Sequence, residues 1–300
     1  MRGSLVIAVI LLIAAVACGS PARPPAPPAA PADPLAWLPA DAISVARAPA
    51  TGVPLLAFLA TSPRRPACVD AELAGVRESF QLQRARAERQ ILVAVGALDR
   101  GRLEACGREA ARALFDLEVT ARREGPLTIF EVPGGGVQVV GFAGDRVVLA
   151  DSAEQVRWVL SPPRAVGPAD PLGRLLPRLP GADLALVTTV DYLARWTGIP
   201  ARGIAIRVVR RPALRADTRV IYADPGTARR ALDALIRAAA SEDAPVAIRQ
   251  VLALVTPSAV PAPEAIDNAA EIAFDLAPLF SPEHAALLDI LTRELAALSP

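Results

Sequence analysis

After residue 35 the apolar positions follow two spacings, one typical of helices and one typical of strands. Residues 71–89 and 101–115 carry apolar side chains every three or four positions, which predicts amphipathic helices. Residues 91–97 are an uninterrupted apolar run of strand length, so we expect a strand that is buried on both faces. Shorter apolar runs predict further strands at residues 42–46, 117–121, 127–132, 137–142 and 146–150.

Glycines mark the turns between the later strands of this first half. Residues 134–136 are three glycines, and residues 144–145 separate the last two apolar runs. Both predict hairpins, because glycine adopts the positive φ that tight turns need. A glycine-rich loop can also bind phosphate, but this triplet leads into a strand and not into a helix N-terminus. Asp151 and Ser152 then begin a helix that ends near Leu160, and either residue can cap it.

Residues 161–170 are rich in Pro and Gly and predict a linker, after which the same kinds of element return. Strands are predicted at residues 184–190, 203–209, 218–223 and 270–276. Helices are predicted at residues 53–61, 191–197, 227–240, 245–255 and 281–298. In the third of these helices Ile236 lies on the predicted buried face, while Asp233 and Arg237 pair on the other.

The two halves share an order of elements. Residues 146–151 (RVVLAD) resemble residues 219–224 (RVIYAD), and in each the Asp follows a strand and precedes a helix. Strand-to-helix junctions favour Asp in any case, so chance is the alternative to a diverged duplication. We predict an α+β fold of two related strand–helix–strands–helix subdomains, at residues 35–160 and 171–300, with mainly antiparallel sheets packed by helices. This arrangement resembles exported bacterial proteins built from repeated α+β units.

The N-terminus has the pattern of a bacterial export signal. A short basic start precedes an apolar run at residues 5–17, which is shorter than the roughly 20 residues that a membrane-spanning helix needs. The run ends in small residues directly before Cys18. A cysteine placed there resembles the lipobox of bacterial lipoproteins, which implies that residues 1–17 are removed and that Cys18 is acylated. The Ala-Val-Ala sequence before Cys18 is also an ordinary cleavage site, so export without an anchor is the alternative.

The segment that follows, residues 18–34, predicts a tether. Half of residues 21–34 are Pro, which fixes φ and lacks an N–H, so this stretch joins no sheet or helix interior. A polyproline-like spacer of this length would reach roughly 40 Å. Simple disorder at a mature N-terminus is the alternative. The lipoprotein resemblance implies a cell-envelope location and, since Gly19 follows the cysteine, an outer-membrane anchor facing the periplasm in a cell with two membranes.

Composition excludes several kinds of chemistry. The 300 residues contain 32 Lys and Arg, all of them Arg, against 31 Asp and Glu, for a net charge of +1. Without Lys there is no P-loop lysine and no Schiff base, and the single His284 excludes paired-histidine metal sites. Arginine clusters at residues 84–89, 122–123 and 207–215 have no aromatic residues nearby on which bases could stack, so we expect solvated faces and no nucleic-acid partner. Contact with an anionic lipid or a partner is the alternative.

The three cysteines are an odd number for an exported protein. If Cys18 carries lipid, Cys68 and Cys106 form an even pair in an oxidising compartment, where a disulfide is expected. It would close a loop of about 38 residues and stabilise the fold by roughly 4 kcal/mol through chain entropy. Two buried thiols are the alternative, since Cys106 lies on the apolar face of its predicted helix.

No residue pattern demands catalysis. His284 lies in the first turn of the last predicted helix, and the chain has no Ser in a G-x-S-x-G context for it to activate. Residues 224–227 (DPGT) open a helix and could hold an anion, but Asp224 would repel it, which favours a capped helix start. The carboxylates are scattered. We therefore predict no catalytic residue, no cofactor and no metal.

These observations favour a membrane-anchored cell-envelope lipoprotein with a non-enzymatic binding or scaffold role. Its partners would be the membrane, through the lipid on Cys18, and an envelope protein. The first alternative is a carrier of a lipid or other hydrophobic ligand, held between a sheet and apolar helices such as residues 245–255. The second is a carboxylate-dependent hydrolase whose acids come from distant segments.

Overall fold

The computed structural model describes residues 36–50, 52–53, 56, 60, 62–85, 91–132, 136–176, 182–189, 194–209, 215–241, 249, 254, 258–261 and 270–275. These residues belong to two compact units, which divide the chain between Gly173 and Arg174. Predictions for residues 1–35, 53–61, 245–255 and 281–298 fall wholly or mostly outside the described residues.

The N-terminal unit contains seven described strands, paired antiparallel, together with helices. Its elements are β1 (Ala42–Pro49), α1 (Ala67–Leu73), β2 (Val76–Arg84), β3 (Ile91–Gly96), α2 (Arg100–Phe115), β4 (Thr120–Glu124), β5 (Leu127–Val132), β6 (Gly136–Ala143), β7 (Arg146–Ala150) and α3 (Ala153–Leu160). The strands follow the order β1-β2-β3-β7-β6-β5-β4. Every residue of β3 is buried, as expected for a central strand.

The strands of the C-terminal unit are also antiparallel. Its elements are β8 (Leu184–Thr188), α5 (Ala194–Thr197), β9 (Gly203–Val209), β10 (Arg215–Tyr222), α6 (Pro225–Ala240), β11 (Ser258–Pro261) and β12 (Ala270–Asp275), and the short helix α4 (Pro171–Leu175) spans the division between the units. Its strands follow the order β11-β12-β10-β9-β8. Antiparallel sheets with helices confirm the predicted α+β class.

Two glycines show how closely helices approach the sheet of the N-terminal unit. A Cβ on Gly141 of β6 would lie 2.2 Å from Val156 and 2.7 Å from Leu160, both in α3. A Cβ on Gly107 of α2 would lie 3.1 Å from the ring of Phe130 in β5. Gly141 pairs with Leu127, which is three positions from Phe130 along β5. Because side chains alternate between the two faces of a strand, Gly141 and Phe130 lie on opposite faces of the sheet. The sheet is therefore covered by α3 on one face and by α2 on the other.

Residues 164–166, within the predicted linker, pair with the chain just before β1. Ala40 donates to the Arg164 carbonyl at 3.0 Å, and Val166 donates to the Leu38 carbonyl at 2.7 Å. Leu38 and Val166 are buried. This part of residues 161–170 is thus hydrogen-bonded to the N-terminal unit.

The helix predicted at residues 71–89 is wrong. Helix α1 ends at Leu73 and strand β2 begins at Val76, after Gly75. In β2 the buried side chains of Phe80 and Leu82 alternate with the half-exposed Gln81, and the strand pairs with both β1 and β3. The apolar spacing there is therefore the two-residue period of a strand, and pairing on both edges outweighed the local preference for helix.

Three smaller predictions also need correction. Strand β4 begins at Thr120, not at residue 117. In α6, Ile236 is 53 % exposed, because the buried face is formed by Ala228, Ala231, Leu232 and Leu235. Asp233 pairs with Arg229, one turn before it, at 3.7 Å.

The two units share an order of elements but not a strand pairing. In the N-terminal unit β3, α2, the β4–β6 strands, β7 and α3 follow one another; in the C-terminal unit β8, α5, β9, β10 and α6 do so. The strand with the RVVLAD sequence, β7, pairs directly with β3. Its counterpart β10 is separated from β8 by β9. The shared sequence order is thus built into two different sheet arrangements.

The contact at Gly141 can be tested by adding a single methyl group. Gly141→Ala should lower the free energy of unfolding by about 1–3 kcal/mol, because the methyl group overlaps Val156 and Leu160. Gly101→Ala in the first turn of α2, where the nearest atom is 3.4 Å away, is the control and should raise it by roughly 0.5–1 kcal/mol. Urea denaturation measures both; equal effects of the two substitutions would contradict the close packing of α3.

Candidate functional site

The two cysteines predicted to pair lie on neighbouring helices. Cys68 is in α1 and Cys106 is in α2, and the structure joins them in a disulfide with Cα atoms 5.6 Å apart. Cys106 is buried, whereas Cys68 is partly exposed. The bond therefore ties the short helix α1 to the long helix α2.

The other residues that the sequence singled out as sites, Cys18 and His284, lie outside the described residues. Acylation of Cys18 stays a prediction, as does the apolar helix at residues 245–255 on which the carrier alternative depends. Among the described residues, no group of three or more His, Cys, Asp or Glu side chains is arranged to hold a metal ion. The helices of that same part of the chain include none long and apolar enough to cross a membrane.

Glu104 of α2 is a buried carboxylate with three side-chain donors, and no motif in the sequence indicated it. The residue is 7 % exposed. Arg123 of β4 donates through Nε at 2.9 Å and through Nη2 at 2.6 Å, and the Thr128 hydroxyl of β5 donates at 2.5 Å. Arg100, one turn earlier in α2, donates through Nε at 3.1 Å. One carboxylate thus joins α2 to both strands of the β4–β5 hairpin.

Arg100 extends this network to the turn of the hairpin. Its Nη1 donates to the Gly125 carbonyl at 2.8 Å, and its Nη2 donates to the Leu127 carbonyl at 2.6 Å. The guanidinium also lies 5.3 Å from the ring centroid of Phe142 in β6, a cation–π distance. These contacts place the first turn of α2 against the turn between β4 and β5.

The arginines lower the pKa of Glu104 from 4.5 to about 2. The hydrogen bonds from Arg123 contribute most, burial opposes them, and the hydrogen bonds from Thr128 and Arg100 lower the pKa further. An acid or base in catalysis needs a pKa near the working pH, and a carboxylate ionised down to about pH 2 is a poor proton donor or acceptor at neutrality. Glu104 therefore serves packing and does not supply the acid that the hydrolase alternative requires.

Arginine and aromatic side chains also stack on the sheet. The rings of Trp37 and Phe80 meet edge to face, with centroids 5.0 Å apart. Arg146 lies over Trp37 at 5.3 Å, and Arg47 lies over Phe80 at 5.9 Å while pairing with Glu78. The Nη1 atom of Arg146 is buried without a hydrogen-bond partner, so its contact with the indole ring is the main compensation for that burial.

The expectation that the arginine clusters lack aromatic neighbours is wrong for Arg84. Its guanidinium lies 5.5 Å from the ring centroid of Trp158 and pairs with Asp41 at 3.4 Å and Glu154 at 3.0 Å. The Trp158 indole N–H donates to Asp41 at 2.8 Å. Trp158 comes from α3, far along the chain, so no local pattern could reveal this stacking. Arg84 is occupied by partners within its own unit.

The start of α6 is capped as expected. Asp224 accepts hydrogen bonds from the Thr227 N–H at 2.8 Å and the Thr227 hydroxyl at 2.6 Å. The hydroxyl bond contributes most to a pKa of Asp224 below its ordinary value, followed by the backbone bond. The carboxylate occupies the place that a bound anion would take, which favours the cap over an anion site.

Exposed apolar side chains gather at one end of the N-terminal sheet. Phe115 is 56 % exposed, Leu117 38 % and Val137 43 %. Thr120 pairs with Glu131, which pairs with Val137, so β4 begins and β6 begins at the same sheet end. Helix α2 starts at the opposite end of the sheet. It is about 24 Å long and β4 is about 17 Å long, so its last residue, Phe115, reaches the end at which β4 begins. Val137 lies four positions from Gly141 and therefore on the α3 face, whereas Phe115 ends α2 on the other face, so these residues share an end of the sheet and not a face. We call Phe115, Leu117 and Val137 the apolar end.

Comparisons with known proteins leave the family open. No protein-family model matches the chain, and no curated protein matches it. Crystal forms III, I and IV of TP0453 are similar in structure, each with a TM-score of 0.48. Their identities are 11 %, 10 % and 12 %, and they cover 86 %, 90 % and 88 % of this chain and 100 %, 99 % and 98 % of their own. At that level of similarity they carry no argument about function.

The network around Glu104 predicts a pH-dependent loss of stability. Because the folded state lowers the pKa of Glu104, the carboxylate stabilises the fold above about pH 4.5, and this contribution is lost as the pH falls toward 2. Glu104→Gln should lower the free energy of unfolding by about 2 kcal/mol at pH 7 and by less at pH 3. This value is smaller than the pKa shift alone would give, because the solvent around Arg123 screens its interaction with Glu104.

Urea denaturation of wild type and variant between pH 7 and pH 3 measures this difference. Glu118→Gln is the matched control, because Glu118 pairs with Arg112 on the surface, and it should change stability little at any pH. A Glu104→Gln effect that is small, or equal at both pH values, would show that the network does not hold α2 in place.

Proposed function

We propose that this chain is a lipid-anchored protein of the cell envelope with a non-enzymatic binding or scaffold role, and that the apolar end is the surface with which it binds a partner protein. The exposure of Phe115, Leu117 and Val137 at one sheet end is the observation that supports this surface. Phe115 and Leu117 are exposed together at the end of α2, and grouped exposed apolar side chains commonly mark sites of interaction, whereas single ones need no explanation.

The support beneath the apolar end favours binding with little rearrangement. Helix α2, which carries Phe115 at its last position, is held to the hairpin by Glu104 and to α1 by the disulfide of Cys106. Asp116 ends the helix with a φ of 55°, and the Leu117 N–H then bonds back to the Ala111 carbonyl. A surface that is rigid before binding loses less conformational entropy when a partner docks.

The charges around the apolar end favour a protein partner over a polyanion. Arg112 donates to Glu118 at 2.7 and 2.9 Å, which raises the pKa of Arg112 and lowers that of Glu118. Arg122 pairs with Glu131 at 2.9 Å and also contacts Glu124. These arginines already have acidic partners, so the rim carries little net positive charge that would attract nucleic acid.

The anchor is supported by the sequence alone and can be tested chemically. Mass spectrometry of the mature protein should find Cys18 as an acylated first residue, and the protein should partition with membranes. Cys18→Ala should remove both the acyl mass and the membrane partition. An unmodified N-terminus on protein recovered from the soluble fraction of wild-type cells would contradict the anchor.

The binding surface can be tested by photo-crosslinking from Leu117, which lies next to Phe115 at the end of α2. A photoreactive amino acid there should capture one envelope protein, and Phe115→Ser in the same chain should reduce that capture at least about fivefold, because the anchor side chain of the patch is lost. Ile236→Ser removes a comparably exposed side chain in the other unit and is the matched control. Capture that is insensitive to Phe115→Ser, or equally sensitive to Ile236→Ser, would contradict this surface.

A further inference from the structure

Two contacts align α1 antiparallel to α2. The disulfide joins Cys68 to Cys106, and one turn along each helix Glu72 lies 3.2 Å from Arg102. We propose that the Cys68–Cys106 disulfide is a redox-sensitive switch: its reduction opens α1 away from α2 while the sheet of the N-terminal unit stays folded. This rests on the helix pair and not on the proposed binding surface.

Helix α1 has little stability of its own. It contains seven residues, and Pro66 at its N-cap makes no side-chain hydrogen bond to the first turn. Helices this short are unstable in water without tertiary contacts. Apart from the buried Val69 and its backbone bond to the Pro66 carbonyl, α1 contacts the preceding chain through an exposed pair between Arg65 and Asp70 at 2.7 Å, of a kind that contributes little.

The incompletely paired carboxylate of Glu72 favours the opening of α1 once the disulfide is broken. The residue is 7 % exposed, and its Oε2 atom is buried without a hydrogen-bond partner. Its Oε1 atom contacts the Nε of Arg102, whose side chain is 66 % exposed, so the pair is half in water and half buried. A buried carboxylate that is not fully paired disfavours the closed state, and opening would hydrate it.

The sheet below α1 has its own restraints, which limit how far an opening would spread. Strand β3 is buried along its whole length and pairs with β2 from Ile91 to Gly96. Where the helices meet this hairpin, the Ala97 N–H donates to the Gly75 carbonyl at 3.0 Å, and Gly75 and Gly96 touch so closely that a Cβ on Gly96 would lie 2.0 Å from that carbonyl oxygen. The change should therefore stop at Gly75.

The reaction is thiol–disulfide exchange with a dithiol reductant. Its thiolate attacks the Sγ of Cys68, the more exposed of the two residues, and the bond to Cys106 breaks, so Cys106 leaves as a thiolate and takes a proton. The second thiolate of the reductant then displaces Cys68 from the mixed disulfide, and Cys68 takes a second proton. Two electrons pass to the cysteine pair, and the reductant becomes a disulfide.

Hydrogen exchange followed by mass spectrometry tests the switch on the full chain. Treatment with dithiothreitol should accelerate amide exchange in residues 67–73 by about tenfold or more, while residues 91–96 keep their protection. The Cys68→Ser/Cys106→Ser double variant should behave like the reduced chain without any reductant. Glu72→Gln in the reduced chain should slow exchange of residues 67–73, because a neutral amide costs less to bury than a carboxylate.

Two results would overturn the proposal. If residues 67–73 exchange at the same rate in oxidised and reduced chains, α1 does not depend on the disulfide. If residues 91–96 lose protection together with residues 67–73, the bond stabilises the whole unit and is no switch. Hydrogen exchange with and without dithiothreitol uses the wild-type chain, so both results can be measured even if a variant fails to fold.

Discussion

The carboxylate of Glu104 determines where α2 lies in the N-terminal unit. Its hydrogen bonds to Arg123 and Thr128 connect the helix to two strands at once, and they form where water is excluded from the carboxylate. The cost of burying the charge is offset because Arg123, Arg100 and Thr128 all donate hydrogen bonds to it. Other features follow from that position: Cys106 comes opposite Cys68, and Phe115 reaches the apolar end.

Several arginines of the N-terminal unit connect its elements to one another. Arg100 bonds to two carbonyls of a turn, Arg84 joins Trp158 to two acids, and Arg47 stacks on Phe80 beside Glu78. The planar guanidinium can stack and donate several hydrogen bonds together, which an ammonium cannot. A chain without Lys and with few aromatic residues thus uses Arg to join its helices to its sheet.

The predictions succeeded where a local pattern and the tertiary environment agree. Strands β5, β7 and β9 have the bounds that their apolar runs predict. The prediction for residues 71–89 failed because Leu73, Val76 and Phe80 have the helical spacing of three and four residues although they lie in two different elements. Glu104 carried only an i, i+4 spacing to Arg100 as a signal, since its other donors are 19 and 24 residues away along the chain.

By itself the sequence determined the class of the fold, the capped starts of α3 and α6, and the pair of cysteines available for a disulfide. These follow from hydrophobic period, capping chemistry and residue count, which act over a few positions. Only the tertiary structure decided that β2 is a strand, that Ile236 faces solvent and that Phe115, Leu117 and Val137 share one end. Those outcomes depend on which segments meet across the sheet, and contacts between distant segments leave no periodic trace in a single sequence.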